Sequence, residues 1–362
     1  MQNNHHHDHD HDHHHHHGDD HDHLHEAKGL WGWITTIFHL HGHSHQRGEL
    51  ATDQAFVDNS EGIRTVWLAL AALAVTSLIQ IFIVVWSGSV ALLADTLHNI
   101  GDGLNSIPLL VAFYLARRVA TRRYTYGFGR AEDVAGIFIV LSIAISAGII
   151  FWESIQKFIY PQPITHLSWV AAAAIVGFVG NEAVALLQIR VGRKIGSAAL
   201  VADGLHARTD GLTSLAVLLA VGGTWLGFPI LDPIIGILIG VAILFITKDA
   251  TVTMWYRLMD AIEPEILSDA EAVIQEADRL KKASRVRMRW MGHRLHAELH
   301  IAVDPHLTTA ESHQIAEELR HSLFHRIPNL SEAVVHIDPW SEEPEKYHQL
   351  TTHHEPVPEP IT

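Results

Sequence analysis

The stretch Ala91-Leu-Leu-Ala-Asp95-Thr-Leu-His98-Asn-Ile-Gly-Asp102-Gly-Leu-Asn-Ser106 returns 108 residues later as Ala199-Leu-Val-Ala-Asp203-Gly-Leu-His206-Ala-Arg-Thr-Asp210-Gly-Leu-Thr-Ser214. Ten of the sixteen positions are identical, and both copies hold Asp-x-x-His-x-x-x-Asp. Each copy lies in an apolar run, and an uncompensated Asp at a bilayer centre costs about 3 kcal/mol. The i, i+4 spacing puts His and Asp on one helical face, about one turn apart. Two such helices facing each other bring His98, Asp102, His206 and Asp210 to one point. Two imidazoles and two carboxylates suit a tetrahedral Zn2+ site, and two aspartates plus one dication sum to zero charge. The plainer reading is hydrogen-bond glue between helices, against which the four ionisable groups weigh. Asp95 and Asp203 precede each His by three residues, so they either orient the imidazoles or make helix-end contacts.

Around the repeat lie six apolar segments, near Val66–Trp86, Val90–Ala116, Val134–Trp152, Leu167–Ile189, Ala198–Val221 and Ile230–Ile246. About 20 apolar residues span a bilayer, so each reads as a transmembrane helix. The two copies occupy the second and fifth. Asn181 and Glu182 in the fourth either line the same aqueous path or serve as packing partners. Arg117, Arg118, Arg122, Arg123 and Arg130 follow the second segment, and Arg190, Arg193 and Lys194 the fourth, whereas the intervening loops offer only Lys157. By the positive-inside rule the basic loops and both termini are cytoplasmic. With no secretory signal at the start, this fits a bacterial inner membrane, with an organelle membrane as the alternative.

Composition narrows the function. Among 362 residues there is no cysteine, which excludes a disulfide framework, a thiolate zinc site and a cysteine nucleophile. A formal charge of −15 argues against nucleic acid as a partner. No His-Glu-x-x-His motif is present, and four protein ligands leave no open position for water, so the chain is not read as an enzyme. Seventeen of the 31 histidines fall in the first 45 residues. We divide the chain into a disordered His/Asp-rich region at 1–61, a six-helix transport domain at 62–257, an α+β domain at 258–342 and a flexible tail at 343–362. The tract captures metal weakly; a purification tag is its dull alternative.

In the α+β domain, Ser268-Asp-Ala-Glu271 reads as a capping box opening a helix to about Leu280, and Thr308-Thr-Ala-Glu311 as another opening a helix to about His325. Ser284–Met291 and Arg294–Val303 read as strands around a turn at Gly292, with Glu332–Asp338 as a third, giving the order αββαβ. Along the second strand Leu295, Ala297, Leu299, Ile301 and Val303 alternate with Arg294, His296, Glu298 and His300, so the first set faces the core. His336 and Asp338 share a face by the same period. His321 and His325 stand one turn apart on a helix.

Together, the two His-x-x-x-Asp helices, the loop Arg123-Tyr-Thr-Tyr-Gly-Phe-Gly-Arg130-Ala-Glu132 and Val335-His-Ile-Asp338-Pro resemble the cation diffusion facilitator family, which includes the ZnT-like zinc transporters. The resemblance implies a six-helix membrane domain, a cytoplasmic domain with a metallochaperone-like fold, a homodimer, and metal–proton antiport by alternating access. It implies His98, Asp102, His206 and Asp210 as ligands of the transported Zn2+. It also implies a cytoplasmic metal site, matched here by His300, His313, His336 and Asp338, with Ser284 where a further His is expected. Facing carboxylates in a low dielectric take up protons when a dication leaves, so proton entry is expected to accompany metal exit. Export of Co2+, Cd2+, Ni2+ or Fe2+ by the same mechanism, or a membrane metal sensor, are the competing readings.

Overall fold

The computed structural model describes residues 51–87, 96, 100–101, 103–160, 166–228 and 230–342, with 347 and 350. These belong to the compact unit Arg47–Thr362. His98, Asp102 and Asp95 lie outside the described residues, as do the tract 1–50 and most of the tail. Among the described residues the bundle comprises α1 (Ala51–Ser87), α2 (Ser106–Ala116), α3 (Arg130–Ile159), α4 (Leu167–Lys194), α5 (Ala198–Trp225) and α6 (Leu231–Leu258). Thr96, Ile100, Gly101 and Gly103 ahead of α2 are helical too. Helix α1 begins at Ala51, ahead of the boundary expected at residue 62, and Lys194 Nζ anchors its Glu61 Oε2 at 2.8 Å.

Asn59–Ser87, Arg130–Ile159, Leu167–Lys194 and Leu231–Leu258 are long and apolar enough to cross a membrane. Phe82, Trp86, Phe138, Leu141 and Phe245 on their outer faces are exposed, as suits a surface solvated by lipid rather than water. Helix α5 differs. It carries Asp203, Arg208 and Asp210 within eight residues, yet every residue from Ala202 to Gly211 is buried. The charged helix is the inner one because its neighbours can answer its charges and lipid cannot.

Glycines let α4 and α5 approach. A Cβ on Gly204 would lie 2.7 Å from Ile189 Cγ1 and 2.9 Å from Ile189 N; one on Gly192 would lie 2.8 Å from Val201 N. Such small-residue contacts drive helix packing where lipid is as apolar as the side chains. The core beneath them includes Ile139, Ile143, Val184, Ile189, Leu200, Leu205 and Ile243.

The α+β domain holds α7 (Pro264–Gln275), β1 (Lys282–Met291), β2 (Arg294–Val303), α8 (Thr309–Arg326) and β3 (Leu330–Pro339). The strand order is β1-β2-β3, with β1 antiparallel to β2 and β3 parallel to it. Leu295, Ala297, Leu299, Ile301 and Val303 are buried with Val273, Ile274, Ile315, Leu319 and Leu323 of the helices, following the expected alternation. Thr308 forms the expected capping box with Glu311. The Ser268 box does not form. Helix α7 starts at Pro264, a residue suited to the first helical position, and Ser268 Oγ donates to Pro264 O one turn back.

A polar joint ties the bundle to this domain. The Arg257 guanidinium, buried at the end of α6, donates to Gly292 O at 2.9 Å and Gly196 O at 3.2 Å, and stacks 4.1 Å over Trp290. Glu132 Oε2 and His293 Nδ1 pair at 2.8 Å, both side chains almost fully buried. Arg130 donates to Arg257 O and pairs with Asp260, and Asn329 Nδ2 donates to Ile195 O at 2.8 Å.

Gly204→Ala should overpack the α4–α5 contact, at a cost of about 1–3 kcal/mol. Thermal unfolding in detergent should register a fall of several degrees, and an unchanged midpoint would show that the two backbones do not meet there.

Candidate metal sites

Helix α5 places His206 and Asp210 one turn apart inside the bundle, at 2% and 8% exposure. His206 Nε2 lies 4.0 Å from Asp210 Oδ2. The first copy of the repeat meets the second just beyond its expected ligands. Asn105 Nδ2 lies 2.9 Å from His206 Nε2 and donates to Ser142 Oγ of α3 at 2.9 Å. Ser106 Oγ donates to Asp203 Oδ2 at 2.7 Å, and Gln188 Nε2 of α4 donates to the same oxygen. The described hydrogen bonds of Asp203 thus run to α2 and α4.

Glu182 is a packing partner: its carboxylate takes a bidentate pair from Arg208, at 2.8 and 3.3 Å. That answers the one cation of α5 next to the proposed ligands. Asn105, Ser106, Ser142 and Gln188 were missed as candidates. The shared Ser of the repeat, Ser106 and Ser214, was the one signal within reach.

The second group is on the sheet. The parallel register of β2 and β3 sets His300 opposite His336, with Asp338 two residues on. One ligand atom from each of His300, His336 and Asp338 lies within 4.8 Å of the others. His336 Nε2 is 3.1 Å and His300 Nδ1 3.9 Å from the Asp338 carboxylate, and the two rings are 4.6 Å apart. All three are at least partly exposed. His313 is not in this group. It lies on α8, whose Ile315 and Leu319 pack on the buried face of the sheet, opposite to the His300 face. His321 and His325 pack edge to face on the same helix, 4.3 Å apart.

Beside the sheet group, His296 Nδ1 pairs with Glu332 Oε2 at 3.0 Å. Burial pushes the His296 imidazole below its ordinary value, against the pull of Glu332 in the other direction.

Comparison with known proteins bears on residues 66–340. The family model described as the cation efflux transmembrane domain matches residues 66–259, and that described as the cation efflux protein cytoplasmic domain matches residues 262–340. "Probable cation efflux system protein Rv2025c" of Mycobacterium tuberculosis (strain ATCC 25618 / H37Rv) is 52% identical over 297 residues, covering 82% of this chain and 89% of its own. "Cation-efflux pump FieF" of Klebsiella pneumoniae is 28% identical over 281 residues, covering 75% and 92%. "Manganese efflux system protein MneP" of Bacillus subtilis (strain 168) is 26% identical over 272 residues, covering 73% and 91%.

The His296 environment sets a pH dependence. An imidazole harder to protonate in the fold than in the unfolded chain contributes fully above the unfolded pKa of about 6.5, and that contribution is lost as pH falls below it. Thermal midpoints measured from pH 8 to pH 5.5 should fall more steeply for the wild type than for His296→Gln. Parallel curves would remove His296 as the cause.

Proposed function

We propose zinc as the cargo of a chain that belongs to the cation diffusion facilitator family and is therefore a divalent-cation efflux transporter of the membrane, not an enzyme. The transport ligands in this reading are His98, Asp102, His206 and Asp210. One observation carries it: His206 and Asp210 are buried on one face of α5, 4.0 Å apart. A tetrahedral zinc with bonds of ~2.0–2.2 Å sets its ligand atoms ~3.3–3.6 Å apart, so the pair needs to close by only a few tenths of an ångström to share an ion. The repeat supports the other half, because Asn105 and Ser106, three and four residues beyond Asp102, reach across to His206 and Asp203.

Nitrogen ligands favour zinc over harder ions such as manganese. The family nevertheless includes a relative named for manganese, so the metal is decided by flux and not by kinship. Export runs in exchange for protons: when the dication leaves, the facing carboxylates need another source of positive charge. The metal moves out of the cytoplasm, both termini lie on that side, and the membrane is a bacterial plasma membrane. The His/Asp tract raises the local metal concentration at the entrance.

In the cytoplasmic domain, His300, His336 and Asp338 form a lower-affinity zinc group. The partly exposed sheet face that carries them is the surface through which a homodimer forms. His313 joins this group only if a second subunit supplies it.

The test is flux of Zn2+, Mn2+, Co2+, Cd2+, Ni2+ and Fe2+ into proteoliposomes. Zinc should move fastest, and His206→Ala should lower zinc flux by about a hundredfold, at least the ~10–100-fold that loss of a mere outer partner costs. Manganese moving as fast as zinc would overturn the cargo, and zinc flux indifferent to an imposed pH gradient would overturn the antiport. For the sheet group, His336→Ala should remove one zinc equivalent in equilibrium dialysis while His313→Ala retains it. The converse would relocate the site.

A further inference from the structure

The structure sets Asn105 on the very atom that the cargo needs. His206 Nε2 has one lone pair. It is the ring nitrogen that faces Asp210, 4.0 Å from Oδ2, which makes it the donor placed to share an ion with that carboxylate. The same nitrogen lies 2.9 Å from Asn105 Nδ2. The amide's second N–H donates to Ser142 Oγ at 2.9 Å, which fixes the group between α3 and α5. A hydrogen bond to Nε2 and a metal bond from Nε2 exclude each other. Turning the amide over changes nothing, because Nε2 then carries the proton and has no lone pair to give.

Asn105 stands at the start of α2 with helical backbone angles, φ −63° and ψ −21°, a conformation in which an Asn side chain does not cap, so its amide is left to the cross-helix contact. Its backbone lies in a break, with turn-type bonds Leu104 N to Gly101 O and Ile107 N to Leu104 O on either side, so the residue is not locked in a continuous α-helical ladder. The repeat also supplies an internal comparison. Thr213 stands where Asn105 does in the other copy, and its Oγ1 donates to Asp210 O on its own helix, 2.8 Å away.

We propose that Asn105 is a place-holder that competes with the transported ion for His206. It engages the buried imidazole once the ion has gone and gives way when an ion arrives. This rests on reading His206 as a transport ligand. A hydrogen bond to the imidazole of the ion-free site stabilises that state against the ion-bound one. The amide thereby weakens binding and speeds release. Asn105 is thus a positioning residue that acts on the ion through His206.

The experiment compares wild type, Asn105→Ala, Ser142→Ala and His206→Ala as full-length protein in proteoliposomes, with Zn2+ as the probe. KM and kcat for flux are measured, with Kd by equilibrium dialysis. Loss of a net hydrogen bond corresponds to about a fivefold to tenfold change. Asn105→Ala should therefore lower Kd and KM by about that factor and lower kcat as well. Ser142→Ala, which unties the amide at its other end, should shift all three in the same direction by less. A higher KM in Asn105→Ala would mean that the amide oxygen is a ligand, and constants equal to wild type would mean that the contact is packing; either overturns the proposal. Should Asn105→Ala not fold, the sign of the Ser142→Ala shift decides alone. His206→Ala separates the premise: zinc binding undiminished in that variant removes the ligand reading itself, whereas zinc binding lost there with Asn105→Ala behaving as wild type removes only the place-holder.

Discussion

Ionisable groups inside a low-dielectric bundle must each be answered by a partner, and the architecture around α5 is arranged to meet that demand. Between Asp203 and Asp210 the helix buries two carboxylates, an imidazole and a guanidinium. Arg208 is answered by Glu182 of α4, Asp203 by Ser106 and Gln188, and His206 by Asn105 and Asp210. Those partners come from α2, α4 and the segment ahead of α2, so three neighbours must approach α5 closely. Gly192 and Gly204 make one approach possible by removing the side chains that would hold α4 away. The helix is enclosed because it is charged, and the apolar helices take the lipid because they are not.

The same demand shapes the junction with the cytoplasmic domain. Arg257 satisfies two carbonyls that end or turn the chain, at Gly196 before α5 and at Gly292 between β1 and β2. Glu132 and His293 pair across the junction with almost no solvent contact. Asn329 bonds to Ile195 in the turn that launches α5, and β3 starts at the next residue. At the far end of that strand stand His336 and Asp338. A single extended element therefore begins against the turn that launches α5 and ends at His336 and Asp338.

Much of this was legible in the sequence because the relevant periods are short. The i, i+4 pair on α5 and the alternation on β2 depend only on local geometry, so residue spacing was enough to give the faces of His206, Asp210 and His300. Capping at Thr308 was readable for the same reason. The Ser268 box failed because Pro264, four residues earlier, offers a better start, and a box pattern within a helix is indistinguishable from one at its end. The cross-helix partners were not readable. Asn105, Ser142, Gln188 and His293 are ordinary polar residues whose roles depend on which helices meet, information that no local pattern carries. The separation of His313 from the His300 group within one chain was unreadable for a related reason: it depends on which sheet face α8 covers.

The two ligand groups also differ in what they can discriminate. Two imidazoles and one carboxylate on the sheet leave a bound dication with a net charge of +1, which water at a partly exposed site tolerates. Such a ligand set, if it binds metal as proposed, does not single out one dication. The proposed four-ligand set in the bundle has two carboxylates, and there the cancellation is required, because an unbalanced charge in lipid is expensive. A monovalent or trivalent ion would leave a residual charge at the bilayer centre. Charge selection thus follows from the bundle's low dielectric alone, and nitrogen ligands add preference among dications on top of it. In the proposed reading it is the deep site, with its neutrality fixed by the repeat, that acts as the filter, and the sheet group is the less selective of the two.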